Sequence, residues 1–551
     1  MLSQEPPKAV AKVLVLAVWG ITPISWTYFI LFILYRTLLA ENLADGLRHV
    51  VRGTLPVAAR RFPRFSRALS SRGWFLYALI EVLFSLYYRH LAARVQVPGV
   101  SHTATRNYVV KAITTALSDG MNKEGTDRKD LFKAKTGAEQ LPEPNRHLAW
   151  DDPRAVEFRR EMSGWFIGIK TENITRQDVY EWLSWALFGK FYKQLQEEDK
   201  EHGEESEHAQ KQLEFLEDAT RLFAARSGRK EFPEHVELSP EEKRSKRTML
   251  LSLDPVRVSS RPFGLYAAVA LGNELARFIW SRRYGMQRLK IGDVSYLLYI
   301  PSEWSASAAK KGEMPLPVLF LHGLGIGMVQ YVDVVRGLLN PELMRQPRPV
   351  LIPLQPWTSG DILSPRFLRP WRAPESAALI RAMIERHGFD ECGVSVMSHS
   401  MGTILHTWLL KHMSDLIQRS ILVDPVCFQL WAPHLCYRFL YKKANTFIEY
   451  ALRYFVAREL GTANVLTRNF DWSSNVLFID DIPNHDNPNR TRVYLAGSDT
   501  VVDAPVVERF LARNGMRDVL EYRKGLHHGT YVMGPGNVLP QIVSELDAPL
   551  K

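Results

Sequence analysis

After Tyr284 the chain changes character: short apolar runs begin to alternate with segments of helical period, and no other feature restricts its fold as much. Residues 286–300 (MQRLKIGDVSYLLYI) read as a hairpin turning at Ile291-Gly-Asp, and Pro317 to Leu321 as a buried strand. Further strands are predicted at 350–354, 393–397, 419–423, 492–495 and 519–522, with helices at 375–387, 401–417 and 504–514. Unbroken apolar strands separated by helices imply an α/β architecture, a mostly parallel sheet covered on both faces.

The chemistry sits at one strand-to-helix junction. Val394-Ser-Val-Met-Ser-His-Ser-Met-Gly-Thr is a strand that runs straight into the apolar helix 403–410. A serine in so tight a turn takes a strained backbone that lifts its hydroxyl out above the helix N-terminus. Ser400 is that serine, flanked by His399 and Met401, with Gly402 leaving room for a close chain passage. Ser398 departs from the pattern, since glycine is usual there. Taken alone, the motif also suits an ordinary helix cap supplied by Ser398 or Ser400.

Three further segments raise it above that reading. The loop Leu321-His-Gly-Leu-Gly-Ile-Gly follows a strand, and amides after His322-Gly323 can donate to a developing oxyanion together with the amide of Met401. It lacks the Gly-Lys-Ser/Thr ending of a phosphate loop. Asp499 directly follows the strand 492–495, where a carboxylate can orient an imidazole, while Asp503 is read as the cap of the helix from Ala504. Lys524-Gly-Leu-His-His-Gly-Thr follows the last strand and offers His528 or His527 as general base. Serine, aspartate and histidine thus occur in the chain order that such a sheet requires.

On these motifs, residues 286–545 resemble the α/β-hydrolase fold, in the branch of esterases, monoacylglycerol-type lipases and related acyl hydrolases. The likeness covers somewhat under half of the chain. It implies Ser400 as nucleophile, His528 as base, Asp499 as orienting acid, and the Leu324 and Met401 amides as oxyanion donors. His322, Gly323, Gly325, His399 and Gly402 would support them. Aligning Gly525-Leu-His-His with the family's common G-x-G-H ending favours His528, with His527 as the alternative. Asp424, in LVDP after another strand, is the alternative acid. Residues 429–480, rich in aromatic and aliphatic side chains, occupy the place of the family's cap. The resemblance implies no metal and no organic cofactor. Haloalkane and epoxide hydrolases place aspartate at the position of Ser400.

The other half carries a different signal. Val13 to Tyr35 contains no Asp, Glu, Lys, Arg or His, and a helix of this length reaches about 34 Å, enough to span a bilayer. Lys8 and Lys12 precede it, Arg36 follows it, and Trp19, Trp26, Tyr28 and Tyr35 supply interfacial rings. The run exceeds the apolar core of a signal peptide, about 7–15 residues, and no small-x-small cleavage site follows. A second stretch, Trp74 to Tyr88, carries Glu81 at its middle and reads as an interfacial helix with Glu81 facing water, in preference to a poor second span that would make a two-helix anchor. Between them Arg36, Arg48, Arg52, Arg60, Arg61, Arg64, Arg67 and Arg72 face only Glu41 and Asp45, so much of the net charge of +11 falls here. These arginines alternate with Leu, Val and Phe, which suits anionic headgroups on the cytoplasmic side and gives no nucleic-acid signature.

The chain therefore divides into a membrane-anchoring region (1–100), a mainly helical accessory region (101–285) and a catalytic region (286–551) with a cap at 429–480. Helical period marks 179–196 and 265–280, and the charged run 197–208 reads as a solvated loop or helix face. With 46% hydrophobic and 23% charged residues, wholesale disorder is excluded. Cys392, Cys427 and Cys436 are too few for a disulfide framework and lack zinc-ligand spacing. The expected activity is that of a membrane-anchored serine hydrolase on a carboxylic ester of lipid-like character, with acyl transfer to an alcohol as a variant of the same chemistry. The alternative is a catalytically idle hydrolase fold serving as a membrane scaffold or binding protein. The partners this implies are an apolar ester and a membrane, with the endoplasmic reticulum one candidate. Oligomeric state is not readable.

Overall fold

The computed structural model describes residues 6–38, 40, 42–52, 54, 72–98, 106–121, 126–133, 140–200, 203–343, 346–534, 536–548 and 550. Its N-terminal part is helical: α1 (Lys8–Leu38), α2 (Leu43–Arg52) and α3 (Arg72–Arg94). The uncharged run lies wholly inside α1, which is long and apolar enough to cross a membrane. Pro23 is accommodated within it.

α3 runs back along α1, with Phe32 stacked on Phe75 at 4.0 Å and Trp26 Nε1 donating to Ser85 Oγ at 2.9 Å. This pairing corrects two sequence expectations. Glu81 does not face water: it is fully buried, accepting from Thr22 Oγ1 at 2.6 Å and from the Phe263 amide at 2.8 Å. Arg36 does not reach headgroups either. It is buried over the Phe32 ring and donates to the backbone carbonyls of His49 and Thr54, because α2 folds back onto the end of α1. Arg60, Arg61, Arg64 and Arg67 lie outside the described residues.

The middle of the chain packs as helices Arg106–Ser118, Pro153–Ser163, Arg176–Phe188, Tyr192–Glu198 and Glu204–Arg226. The apolar pattern at 179–196, read as one cluster, is two helices broken at Gly189, whose φ of 67° ends the first of them. The charged run is divided as well, because Glu204 already opens the next helix. α4 (Phe263–Tyr284) then leads into the sheet.

The sheet has eight strands: β1 (Gln287–Ile291), β2 (Val294–Tyr299), β3 (Val318–Leu321), β4 (Val350–Pro353), β5 (Val394–His399), β6 (Ile417–Val423), β7 (Thr491–Ala496) and β8 (Leu520–Arg523). They lie in the order β1-β2-β4-β3-β5-β6-β7-β8, and only β2 runs against the others. Helices α5 (Ala373–Arg386), α6 (Gly402–Met413) and, further along, α8 (Ala504–Arg513) connect the strands, while the excursion between β6 and β7 contains α7 (Phe447–Leu452). β3, β4 and β5 are buried along their whole length, as a sheet covered on both faces demands. This strand order, with a serine between β5 and α6, is the α/β-hydrolase fold.

One apolar core joins the sheet to the accessory helices: Trp165, Trp182 and Trp185 share a cluster with Trp472, Phe478 and Leu422. Trp165 Nε1 donates to the Trp431 carbonyl, and Trp472 Nε1 to that of Ala186. The accessory region is therefore packed against the half that contains the sheet. The three cysteines are buried thiols.

Candidate active site

Ser400 sits one residue beyond β5 with φ at 53°, the strained turn that the motif requires. The turn is possible because Gly402 has no side chain: a Cβ there would lie 2.1 Å from the Leu321 carbonyl oxygen. Ser398 is accommodated by a partner that spacing does not announce. Its hydroxyl lies 2.8 Å from His406 Nδ1, and His406 Nε2 lies 3.1 Å from Ser420 Oγ, so β5, α6 and β6 are tied beneath the turn. Burial lowers the His406 pKa to about 3, which keeps this ring neutral.

The loop after β7 and the loop after β8 meet Ser400. His528 Nε2 is 2.8 Å from Ser400 Oγ, and His528 Nδ1 is 2.6 Å from Asp499 Oδ2. The other Asp499 oxygen accepts from the Val501 and Val502 amides at 2.6 and 3.0 Å, which aims the carboxylate at the ring. Burial disfavours an imidazolium at His528, but Asp499 beside it outweighs this, with Asp424 adding to it, and the pKa is held above the ordinary histidine value of 6.5.

The alternatives separate by geometry. His527 is exposed and its Nδ1 faces the Ser498 carbonyl at 3.2 Å. Asp424 is fully buried, and its two oxygens accept from the amides of Ala496 and Gly529 at 2.9 and 2.7 Å. It splices β7 to the histidine loop, and desolvation raises its pKa to about 6. Asp503 stands at the start of α8 but does not cap it with its side chain. Instead it pairs with Arg438 of the excursion at 2.7 Å. Ligand atoms of Asp424, Asp499 and His528 gather within 4.8 Å, a spacing open to a metal. The four carboxylate oxygens already accept hydrogen bonds and His528 Nε2 meets Ser400, so this donor set is committed to N–H and O–H groups and does not fit a cation.

The loop after β3 faces the same point. Gly323 donates to Tyr331 Oη at 2.8 Å, Gly325 to the Thr358 carbonyl at 3.0 Å, and the Gln355 amide donates to His322 Nε2 at 3.2 Å. Gly325 has φ at 145°, and a Cβ there would strike the Gln330 side chain. Among the described residues the Leu324 and Met401 amides make no hydrogen bond, and both residues line the cavity at Ser400. His399, the residue before the serine, lines the cavity and is buried with Nδ1 at 2.8 Å from Tyr331 Oη, while its Nε2 is unpartnered. Burial, with His528 and His322 nearby, holds its pKa well below the ordinary value. The Tyr331 and His406 partnerships were not found by sequence reasoning, because nothing periodic links their positions.

The cavity has a volume of about 220 Å³. Its walls come from the excursion (Leu435, Phe439, Leu440, Leu452), from Leu251 of the accessory region and from Met533, and no lysine, arginine or carboxylate lines it among the described residues. The excursion contains two π-helical turns, Tyr437–Tyr441 and Arg453–Ala457, a geometry frequent at functional sites. α7 touches α1, and Lys12 Nζ lies 5.4 Å from the centre of the Tyr450 ring.

No protein-family model matches the chain, and no curated protein matches it. Among solved structures it is similar to a bacterial membrane phospholipase A, 13% identical over 52% of this chain and 94% of that one, with a TM-score of 0.34. It is also similar to carboxylesterase CesB of Bacillus subtilis, 8% identical over 51% and 98% of the two chains, TM-score 0.32. A third is a peroxisomal α/β-hydrolase of Saccharomyces cerevisiae, 16% identical over 48% and 86%, TM-score 0.32.

Proposed function

We propose that this chain is a membrane-anchored serine hydrolase that cleaves carboxylic esters of lipid-like character through an acyl-enzyme. The carrying observation is the continuous hydrogen-bonded line Ser400–His528–Asp499, 2.8 and 2.6 Å long, at an apolar cavity. Ser400 Oγ attacks the acyl carbonyl as its proton passes to His528 Nε2, and Asp499 holds the ring and stabilises the imidazolium that forms. The Leu324 and Met401 amides receive the oxyanion. His528 then returns the proton to the leaving alcohol, and water, activated by the same ring, releases the acid.

Two features support a lipid-like ester. The cavity wall offers no charge to a polar acyl group, and α7, which contributes Leu452 to that wall, packs on the apolar helix α1. α1 would be the membrane anchor. The substrate claim is tested by turnover of p-nitrophenyl esters of graded acyl length in detergent-solubilised full-length protein. A kcat/KM that climbs from acetate to long-chain esters is expected. A profile that peaks at acetate contradicts the lipid-like reading while leaving the triad chemistry in place.

A further inference from the structure

α4 presents two opposed faces. On one, Leu271, Leu275, Phe278 and Ile279 are 70%, 59%, 59% and 47% exposed. Their spacing, i, i+4, i+7 and i+8, makes a single stripe along the helix. On the other face Asn273, Ala276 and Trp280 are buried. Asn273 Nδ2 donates to the Ile326 carbonyl at 2.8 Å and its Oδ1 accepts from the Val329 amide at 3.0 Å. Gly327 fits because a Cβ there would meet Asn273 Oδ1 at 2.8 Å. The side chain therefore clamps the loop that contains Leu324.

The stripe has an identifiable neighbour. Glu81 of α3 accepts from the first amide of α4, and Phe84 meets Phe263 and Tyr266 at 5.6 and 5.5 Å, so α4 is continuous with the apolar pair α1 and α3. Its last turn exposes Arg282 and Arg283, and neither has an ion pair among the described residues. Arg282 lies over the Phe278 ring and Arg283 over the Tyr284 ring, each 5.5 Å from the centroid. An apolar stripe ended by exposed guanidinium groups without ion pairs is the pattern of a helix lying in a bilayer surface with anionic headgroups.

We propose that α4 is a second bilayer contact, with Leu271, Leu275, Phe278 and Ile279 seated among acyl chains and Asn273 holding the oxyanion loop from the protein side. This rests on the membrane-anchored reading above. It gives the chain a fixed orientation: the loop beside Ser400 is carried by a helix that itself lies on the membrane.

The test uses full-length protein in vesicles of phosphatidylcholine and phosphatidylserine, with nitroxide labels at Ile24→Cys on α1 and, separately, Leu275→Cys on α4. The native cysteines are buried. Collision rates with oxygen and with a water-soluble nickel chelate report the surroundings of each label. Both labels reading lipid is the expected result. Lipid at position 24 with water at position 275 overturns the α4 proposal and leaves the anchor standing. Water at both positions overturns the anchor reading itself. A label at 275 shielded from both reagents indicates a protein occupant such as a second copy, and overturns the proposal too. As a functional counterpart, the double variant Leu275→Glu, Phe278→Glu should lower turnover of a long-chain ester in vesicles about tenfold or more, given the apolar burial forfeited by two large side chains. Turnover of a soluble short-chain ester should be unchanged. Vesicle turnover equal to that of the parent protein contradicts the proposal.

Discussion

The strand-to-helix turn at Ser400 and the helices α1, α3 and α4 treat apolar side chains in opposite ways. Every residue of β5 is buried, and most polar groups around it have partners, Ser398 with His406, His399 Nδ1 with Tyr331 and Asp424 with two amides, while Ser395 Oγ and His399 Nε2 have none among the described residues. On the helices, large apolar groups such as Ile24, Leu83 and Leu271 stay exposed, while a carboxylate, Glu81, is buried. A sheet covered by its own chain completes its solvent exclusion internally, whereas the apolar faces of these helices are left uncovered by the chain. The lesson is that burial alone does not identify the core of this molecule. What separates the two regions is whether the large apolar side chains are covered by the chain itself.

The largest effect is expected at Ser400. Ser400→Ala should lower ester turnover by at least about 10⁴-fold, as expected when a triad member is lost, with the melting temperature little altered. Asp499→Asn should follow, with a loss of about 10³–10⁴-fold, since the ring loses both its orientation and its counter-charge. This variant also carries the pH signature. His528 must be neutral to accept the serine proton, and its pKa is raised by Asp499, so the rate should climb with pH through a midpoint above 6.5. In Asp499→Asn the midpoint should fall. An ascending limb at the same pH in both proteins would contradict the assignment of Asp499.

The region between the two is probed by Asn273→Ala. It should lower kcat about tenfold with KM nearly unchanged, if the clamp on the oxyanion loop acts on the transition state more than on substrate binding. A rise in KM alone would assign α4 a substrate-binding role instead. The smallest effect is expected at the joint of the helices. Glu81→Ala leaves the Thr22 hydroxyl and the Phe263 amide without their acceptor and should cost about 1–3 kcal/mol of stability, read by thermal unfolding in detergent. No change would mean that water reaches this joint.

Much of the half that contains the sheet could be read from local pattern. The central strands after Tyr284 are apolar runs bounded by turn residues, and the observed β3 to β8 fall within a few residues of the predicted strands. Ser400 and His528 stand at turns marked by their own neighbours, Gly402 and the Gly525-Leu-His-His segment. What remained hidden are pairings across distance. Asp424 looked like a rival acid because its sequence shows a carboxylate after a strand, while its amide partners lie at Ala496 and Gly529. Asp503 looked like a cap until the excursion supplied Arg438. Glu81 looked solvent-facing because an isolated helix has only water to offer it, and its partners come from α1 and from α4, 182 residues on. Periodicity records which face of an element is apolar, and it does not record which polar group of another element will meet it.

All of this depends on an activated serine at Ser400. The folded, detergent-solubilised full-length protein can be reacted with a fluorophosphonate probe, beside Ser400→Ala and His528→Ala. Rapid stoichiometric labelling of the parent protein is expected, with none in Ser400→Ala and severely slowed labelling in His528→Ala. Folded parent protein that stays unlabelled, or labelling that persists in Ser400→Ala, would contradict it and favour a hydrolase fold that serves as a membrane scaffold.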